Sequence, residues 1–462
     1  MEQNSADTAI APPPDERARR IIVRLVQWIF VLVLLEGVLR KWAFGSFEQP
    51  LLFLRDPLMI AAIIHYVGYR GVKFSVLSFW YCIAALALLL LALLQLSTGV
   101  NVLVSLIGMR FYLLFVPLLF IIPETFNPED IARLLRLCLW LAVPVGILVM
   151  VQFHSPVDAP INKGLGDDLE GRFTVVSGVV RPYGPFTFAQ AQATFASFAL
   201  ATLLLTALGR NFIQAPRILL VAGGMAVLVM GALSGARSYF VSAAIIVVFA
   251  MIGSLIVGQR TGRFGGIIAL FGLIAAFFVV FVAVFPDAYE TMAQRQTMAG
   301  SSEGSVFERI WTILTGVTAQ FERADMWGLG IGTGSNAGSF LAAGERMFLL
   351  AEGEWPRMVL ELGPVFGVTF IGLRMLIVAA ILLKAANGAL AGNSAAMVMA
   401  GFAAPLILIA QVTGNNGMAT LPWLAGGLTL ALARQSLPDM AREAPAAFSR
   451  PTGPRMGRAG SP

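Results

Sequence analysis

Apolar runs long enough to cross a membrane follow one another along most of this 462-residue chain. A helix needs about 20 apolar residues to cross the hydrocarbon core of a bilayer. Hydrophobic residues make up 58% of the chain and charged residues only 13%, whereas a soluble domain is about 25% charged. This composition excludes a soluble enzyme, a disordered protein and a disulfide-stapled secreted domain. A transmembrane barrel is excluded as well, because its strands would alternate apolar and polar residues.

We therefore predict an all-α polytopic membrane protein of about twelve transmembrane helices with a large helical extracytoplasmic loop. The helices are predicted at 21–39, 51–68, 76–97, 102–122, 131–153, 187–208, 217–234, 237–257, 264–286, 355–383, 394–412 and 418–433.

Basic residues indicate the orientation of these helices, because loops rich in arginine and lysine stay in the cytoplasm. The turn with Arg260 and Arg263 is one of several that fit an arrangement with both termini in the cytoplasm. One turn disagrees, since Arg40, Lys41 and Arg55 fall on the outer side. We interpret this first hairpin as shallow or re-entrant.

The domain boundaries follow from the same pattern. Residues 1–20 and 434–462 are predicted to be disordered cytoplasmic tails, and 21–433 form the transmembrane domain. Two long loops, 154–186 and 287–354, fall on the extracytoplasmic side. Loops of this length in a compact protein are usually functional or disordered.

The second long loop contains two recognisable segments. Apolar residues recur at spacings of three and four from Phe307 to Phe321, which predicts an amphipathic helix. The glycine-rich segment 328–334 follows no strand and does not fit G-x-G-x-x-G, so it is interpreted as a flexible turn. The chain has no H-E-x-x-H and no C-x-x-C motif, and we predict neither a metal site nor a cofactor.

Two arginines stand out at the predicted outer face. Arg237 lies in a short turn of small residues, 231–238, at or below the membrane surface. An ionisable group there is a functional candidate, although snorkelling or an ion pair would also explain it. Arg181 begins the segment 181–186, whose two prolines and glycine would hold it rigidly at the outer mouth. Simple solvation of a loop is the alternative.

A third feature begins the tenth predicted helix. Glu354, Arg357 and Glu361 recur at spacings of three and four, so they share one helix face at the outer end. The alternative is a stripe of ion pairs facing the bundle. Paired arginines suit a pyrophosphate, and a nearby carboxylate suits a general base for a hydroxyl nucleophile. These features together favour a lipid-diphosphate-linked sugar donor, and no metal is needed if arginine neutralises the leaving diphosphate.

Four short motifs in these segments have a known counterpart. Arg181, Gly184 and Phe186 form R-x-x-G-x-F, and small residues precede an arginine at 234–237. Arg309 and a tryptophan two residues later precede W-G-L-G, and a glutamate, two residues before a glycine, begins E-x-G-x-x-x-G at 361–367. With these motifs the chain resembles the O-antigen ligase and Wzy-type polysaccharide polymerase superfamily of bacterial envelope glycosyltransferases.

The resemblance covers roughly residues 100–380 and implies a C-class glycosyltransferase-like fold and an inverting, metal-independent transfer. Ligases of the family typically have a His-Asn pair a few residues before the glutamate of the last motif. Here Glu354-Trp355 stands in that place and the loop has no histidine. This favours a polymerase or a divergent exopolysaccharide enzyme, with Glu354 in place of the histidine.

The expected reaction polymerises or transfers glycan repeat units carried on undecaprenyl diphosphate, at the outer face of the bacterial cytoplasmic (inner) membrane. Arg181 and Arg237 would clamp the diphosphate and Glu354 would be the catalytic base. The expected partners are the lipid-linked oligosaccharide, a glycan or lipid acceptor, membrane lipids and other polysaccharide assembly proteins, without nucleic acid. The predicted substrate-binding residues are Arg309, Arg357 and Glu361.

Three alternatives stay open. A peptidoglycan polymerase of the shape, elongation and division type is related, but it matches the loop less well. A transporter or flippase of lipid-linked glycans or solutes would place charge near the bilayer midplane, and Arg110 and Arg374 fit that expectation. A non-catalytic scaffold of an export complex is the third.

Overall fold

The computed structural model is mainly helical over the residues that it describes. It describes residues 14–71, 75–165, 174–175, 179–208, 215–262, 265, 268, 272, 311, 315–343, 350–351 and 353–443. Its α-helices are α1 (Pro14–Val38), α2 (Asp56–Arg70), α3 (Val76–Ser97), α4 (Val102–Leu113), α5 (Leu118–Thr125), α6 (Pro128–His154), α7 (Ala189–Leu208), α8 (Arg217–Leu233), α9 (Arg237–Thr261), α10 (Asn336–Ala343), α11 (Glu354–Leu390), α12 (Ala395–Ile409) and α13 (Leu421–Glu443).

Short elements connect some of these helices. A π-helical turn follows α1, and a two-residue antiparallel pair of strands pairs Thr174 with Val180. These short elements are the π-helix Leu39–Ala43, the 3-10 helices Gly45–Phe47, Pro50–Phe53 and Pro160–Asn162, and the strands β1 (Thr174–Val175) and β2 (Val179–Val180).

Eight helical stretches in the described part of the chain are long and apolar enough to cross a membrane, and two shorter apolar helices accompany them. All predicted runs except 264–286 coincide with helices, and that run lies almost entirely outside the described residues. The helical polytopic prediction is confirmed, while the count of twelve spans stays a prediction. The eight stretches are Glu16–Ala43, Pro50–Arg70, Val76–Ser97, Val102–Thr125, Pro128–His154, Ala189–Leu208, Arg237–Thr261 and Glu354–Leu390.

The predicted run 102–122 is interrupted between α4 and α5. Pro117 has no N–H to donate to the carbonyl of Leu113, so the α-helical ladder cannot continue there. The Tyr81 hydroxyl donates to that carbonyl instead, at 3.2 Å. The interruption is therefore satisfied by a neighbouring helix, as buried backbone requires.

Parts of both segments that the sequence predicts as disordered tails are helical in the structure. Helix α1 begins at Pro14 and α13 continues to Glu443, so 14–20 and 434–443 are helical. Arg19 explains the first extension, because it donates to Asp130 at 2.5 Å and ties the first turns of α1 and α6 together. Residues 1–13 and 444–462 lie outside the described residues.

The bundle has two distinct ends. The first turns of α1 and α6 meet at one end, where Arg70 also pairs with Glu124 at 2.7 Å. We call this the terminal end. The opposite end, which we call the loop end, carries the connection 39–55, the described residues of the connection between α6 and α7 (155–165, 174–175 and 179–188) and the connection 410–420.

Helix α7 forms the centre of the core. It contacts α6, α8, α9 and α12, and its side chains are buried on every face, including Phe195, Ala199 and Thr202. A helix that is buried all round lies inside a large bundle. The small residues of α7 allow its neighbours to approach closely, and its first turn lies at the loop end.

Candidate functional site

The structure brings the two predicted arginines Arg181 and Arg237 onto one turn. Arg181 Nε donates to the carbonyl of Ser234 at 3.2 Å, and Arg237 is the first residue of α9, three positions later. Gly235 supports the tight turn with a φ of 54°. Both arginines are half-buried. We call Arg181, the turn 234–236 and Arg237 the arginine turn.

The segment after Arg181 is fixed by two buried side chains from other elements. Gln152 Oε1 accepts from the Gly184 amide at 2.7 Å, and Lys41 Nζ donates to the Gly184 carbonyl at 2.6 Å. Gly184 has a φ of 58°, which favours glycine. The rigidity predicted from the two prolines is thus reinforced by long-range hydrogen bonds that the sequence alone does not show.

The second group of predicted residues lies at a sharp bend in α11. Gly363 has a φ of 79° and Pro364 follows it, so the helix divides into the arms 354–362 and 364–390. The arms fold towards each other, since a Cβ on Gly367 would lie 2.7 Å from the Cα of Val359. The sequence predicts one continuous helix here, and the Gly-Pro pair is the signal that it missed.

The bend changes the position of Glu354. The sequence places it at the outer end of a straight helix, but in the folded chain it lies beside Arg374 on the other arm. Arg374 is eleven residues beyond the bend, or roughly 16 Å along a helix. Glu354 therefore lies inside the bundle rather than at its rim.

Glu354 is completely enclosed and its two oxygens accept four contacts. Oε1 accepts from Arg374 Nη1 at 2.7 Å and from the amide and hydroxyl of Thr413 at 3.1 Å and 2.9 Å. Oε2 accepts from Arg357 Nη2. In the structure Glu354 is therefore part of a group of buried ion pairs, which is the alternative to a catalytic face that the sequence left open.

Arg357 and Glu361 complete this group. Arg357 is 0% exposed and its side chain is enclosed by Gly334 and Gly414, where a Cβ atom would overlap it. Glu361 accepts from the Gly334 amide and from the Tyr112 hydroxyl, both at 2.9 Å. Its Oε1 also lies 4.0 Å from Arg357 Nε. We call Glu354, Arg357, Glu361 and Arg374 the bend cluster.

The glycine segment 328–334 is docked on the bend, so its interpretation as a flexible turn is wrong. Pro364 cannot donate to the Leu360 carbonyl, and the amide of Leu329 donates to it at 2.8 Å. Gly328, Gly330 and Gly332 all have positive φ, and Gly328 abuts Gly363. The segment follows the surface that the bend exposes.

Gln95 is a site residue that sequence reasoning missed. Its Nε2 donates to the carbonyls of Trp327 and Glu361 at 2.6 Å and 2.8 Å, and its Oε1 accepts from the Ile331 amide at 2.8 Å. A single glutamine in the long apolar helix α3 is the signal that could have indicated it, because a polar group there needs partners.

The three basic residues that did not fit the predicted membrane orientation are also buried inside the protein. Arg40, Lys41 and Arg55 are 6%, 2% and 1% exposed. Glu36 pairs with Arg40 at 3.1 Å and with Arg55 at 2.8 Å, and Asp56 pairs with Arg110 at 2.5 Å. These side chains are buried structural partners, so they do not report which side of a membrane the hairpin faces.

The turn between α12 and α13 contacts the bend cluster, the buried residues of the first hairpin and α7. Thr413 binds Glu354, as described, and Thr420 Oγ1 accepts from Arg55 Nη1 at 2.7 Å. Thr194 of α7 donates to the Met418 sulfur at 3.0 Å, and Ser238, next to Arg237, donates to Gln190 at 3.2 Å. The start of α7 thus contacts both the residue after Arg237 and the turn 410–420, whose Thr413 binds Glu354.

The remaining predicted residue, Arg309, lies outside the described residues, as do the rest of 307–310 and residues 312–314 of the helix predicted from Phe307 to Phe321. Residues 315–319 of that segment are helical. Among the residues that the structure describes, no three histidine, cysteine, aspartate or glutamate side chains are grouped so that they could hold a metal ion.

No family model matches the chain, and no curated protein and no solved structure matches it.

Proposed function

We propose that the chain is a membrane glycosyltransferase that polymerises or transfers glycan repeat units carried on undecaprenyl diphosphate. The observation that supports this proposal is the arginine turn, where Arg181 binds the Ser234 carbonyl, three residues before Arg237 begins α9. A helix N-terminus presents unpaired amides and a partial positive charge to an anion. Guanidinium groups add bidentate donors that suit phosphate oxygens.

In the proposed reaction an acceptor hydroxyl attacks the anomeric carbon, and the bond from that carbon to the lipid diphosphate breaks with inversion. Negative charge then develops on the leaving diphosphate, where fixed positive groups stabilise the transition state most. Arg181 and Arg237 supply those groups. The lipid diphosphate leaves with the bonding electrons, and the hydroxyl proton passes to a base.

Glu354 is the residue that we propose for that base. Its oxygens accept hydrogen bonds from Arg357, Arg374 and Thr413 in the described conformation. The proposal therefore requires the arm 354–362 to shift so that one oxygen reaches the acceptor. Catalytic hydrogen bonds often reach their working geometry only when the substrate is bound.

The proposed site of action is the outer face of the bacterial inner membrane, with both chain termini in the cytoplasm. In that orientation the loop end faces outward, where a glycan or lipid acceptor and other polysaccharide assembly proteins would reach it. The donor lipid stays in the membrane beside α8 and α9, whose exposed apolar side chains include Val221 and Val248.

Replacing each arginine of the arginine turn tests the clamp. Arg181→Ala and Arg237→Ala should each lower polymer or ligation product by about 100-fold or more, because a preorganised donor to the leaving group is lost. Arg237→Lys should rescue poorly, since an ammonium cannot bind two oxygens in a fork. The measurement is product from purified enzyme and a lipid-linked repeat unit, with EDTA present to test metal independence.

Arg217→Ala is the matched control, because Arg217 is exposed at the start of α8, at the other end of that helix. It should leave turnover unchanged. Full activity of Arg237→Lys would show that charge alone is sufficient, and the fork argument would fail.

A transporter of lipid-linked glycans is the second candidate, and one observation favours it. The bent helix α11 and the buried pairs Arg374–Glu354 and Arg110–Asp56 place charge and broken helix inside the bundle, as transporters do at their binding sites. Proteoliposomes with a fluorescent lipid-linked oligosaccharide distinguish the two. Movement of the lipid across the bilayer without any new glycosidic bond would establish transport and overturn the transferase.

A further inference from the structure

Helix α1 carries a line of exposed arginines at the terminal end of the bundle. Arg17, Arg20 and Arg24 are all exposed and recur at spacings of three and four, so they share one face of the helix. Trp28 continues this face one turn later and is 57% exposed. We call these four residues the α1 stripe.

Helix α6 repeats the pattern. Arg133 is exposed, Arg136 is half-buried and Trp140, one turn after Arg136, is 56% exposed. Their spacings of three and four again place them on one helix face. We call these three residues the α6 stripe. Both helices are long and apolar enough to cross a membrane, so each stripe lies at the start of a spanning helix.

The two helices run side by side in the same direction. At the terminal end, Arg19 of α1 donates to Asp130 of α6 at 2.5 Å. At the loop end, Lys41 and Gln152 both donate to the Gly184 carbonyl, at 2.6 Å and 3.3 Å. The same number of residues separates Arg19 from Lys41 and Asp130 from Gln152. The helices therefore keep one register from end to end.

The two stripes consequently lie at the same level. Trp28 is nine residues beyond Arg19, and Trp140 is ten residues beyond Asp130, so the two tryptophans are about 14 Å and 15 Å along their helices from that contact. In each stripe the last arginine precedes the tryptophan by four residues, or about 6 Å. That distance is close to the thickness of the headgroup layer of one leaflet, roughly 5–8 Å.

The helix faces continue in the order of a bilayer leaflet. Leu35 follows Trp28 by two turns and Ile147 follows Trp140 by two turns, and both are exposed. Each face thus passes from arginine through tryptophan to aliphatic side chains. Phosphate groups, interface and acyl chains follow one another in the same order, and tryptophan prefers the interface. An acidic protein would match the arginines but not the residues below them.

We propose that the two stripes bind anionic phospholipids in the leaflet around the terminal end. Basic side chains beside a spanning helix attract anionic headgroups, and a guanidinium binds phosphate oxygens in a fork. The inference is independent of the proposed glycosyltransferase, because it uses no residue of the arginine turn or the bend cluster.

The charges of the stripes are available to such headgroups. Arg17 and Arg24 form no ion pair with the described carboxylates. Arg20 and Arg133 each pair with a glutamate one turn away, at 2.9 Å and 2.7 Å. Exposed pairs of this kind contribute little to stability, so a phosphate can replace the carboxylate.

Lipid binding by the purified full chain tests the proposal. The probes are phosphatidylglycerol and phosphatidylcholine with identical acyl chains, added to the chain in detergent and observed by native mass spectrometry. The wild type should bind the first phosphatidylglycerol molecules at least about tenfold more tightly than phosphatidylcholine. The triple variant Arg17→Gln, Arg20→Gln, Arg24→Gln should lose most of this preference. The double variant Arg133→Gln, Arg136→Gln should lose part of it, and thermal unfolding shows whether each variant is folded.

A single exposed arginine outside the stripes provides the control. Arg323 is exposed and lies four residues before Trp327, which Gln95 contacts near the end of α3. Arg323→Gln should leave the preference unchanged, whereas Arg24→Gln should lower it by about three- to fivefold. Absence of a preference in the wild type, or full preference in both stripe variants, would overturn the proposal. Equal losses in the two single variants would show that net charge alone selects the lipid, which would overturn it as well.

Membrane depth is a second readout that does not depend on charge. Nitroxide labels are attached at Trp28→Cys and at Trp140→Cys, in a chain with Cys82→Ala because Cys82 is exposed and Cys138 is buried. Accessibility to oxygen and to a nickel chelate in vesicles should place both labels at the boundary of headgroups and acyl chains, within about 3 Å of each other. Labels that differ in depth by more than one helical turn, about 5.4 Å, or that both lie in water, would overturn the shared level on which the proposal depends.

Discussion

The arginine turn and the bend cluster both contain charged residues that the sequence singles out, but their surroundings differ. Arg181 and Arg237 are half-buried at the loop end, and Arg181 binds a backbone carbonyl. Glu354 and Arg357 are 1% and 0% exposed and bind each other and further side chains. A charged side chain at a surface turn can contact a ligand directly. A fully buried ion pair is instead needed for stability, because removing one partner leaves an unpaired charge inside the protein.

Removing one arginine from the bend cluster and one from the arginine turn should give the largest difference in stability between the two sites. Arg357→Ala leaves Glu354 and Glu361 enclosed without their shared cation, which should cost about 3–5 kcal/mol in the free energy of unfolding. Arg237→Ala should change that free energy by less than about 1 kcal/mol. Equilibrium unfolding in mixed detergent micelles measures both. Equal stabilities would show that the bend cluster contributes to function only.

The second test asks whether the bend cluster also takes part in catalysis. Glu354→Gln keeps the shape of the side chain and removes its basicity, so turnover should fall by about 100-fold or more. Glu361→Gln should cost less, and Glu354→His should retain part of the activity, because an imidazole can also act as a general base. Polymer length and yield are the readout.

Stability data decide how a loss of activity in Glu354→Gln is interpreted. A variant that is as stable as the wild type and inactive would support a base. Wild-type turnover would reduce Glu354 to a partner of Arg357 and Arg374 and leave the base unidentified.

The smallest expected effect concerns the close packing around Arg357. A methyl group on Gly414 would overlap its guanidinium, so Gly414→Ala should destabilise the fold by about 1–3 kcal/mol. Gly372→Ala is the matched control, because no atom lies within 4 Å of a Cβ built there. Replacing that helical glycine should leave stability unchanged or raise it by up to about 1 kcal/mol. Equal effects of the two variants would show that Arg357 has room to move.

The positions of the helices could be predicted from the sequence, because a spanning helix is specified by its own run of apolar residues. The site was predicted in part. Arg181 and Arg237 were recognised from their local turns, and Arg181 binds the Ser234 carbonyl, three residues before Arg237. Gln95 was not recognised, because its partners at Trp327 and Glu361 are more than 200 residues away.

The sequence by itself determined the helical membrane class, the approximate limits of most spanning helices and the face shared by Glu354, Arg357 and Glu361, but not the short helix α10 or the break between α4 and α5. Each of these depends on residues that are neighbours in the chain. Only the tertiary structure decided that the arm 354–362 folds back to Arg374 and that Arg55 lies against Thr420. These contacts depend on which helices pack together, and a charge inside the bundle takes whichever partner that packing brings within reach.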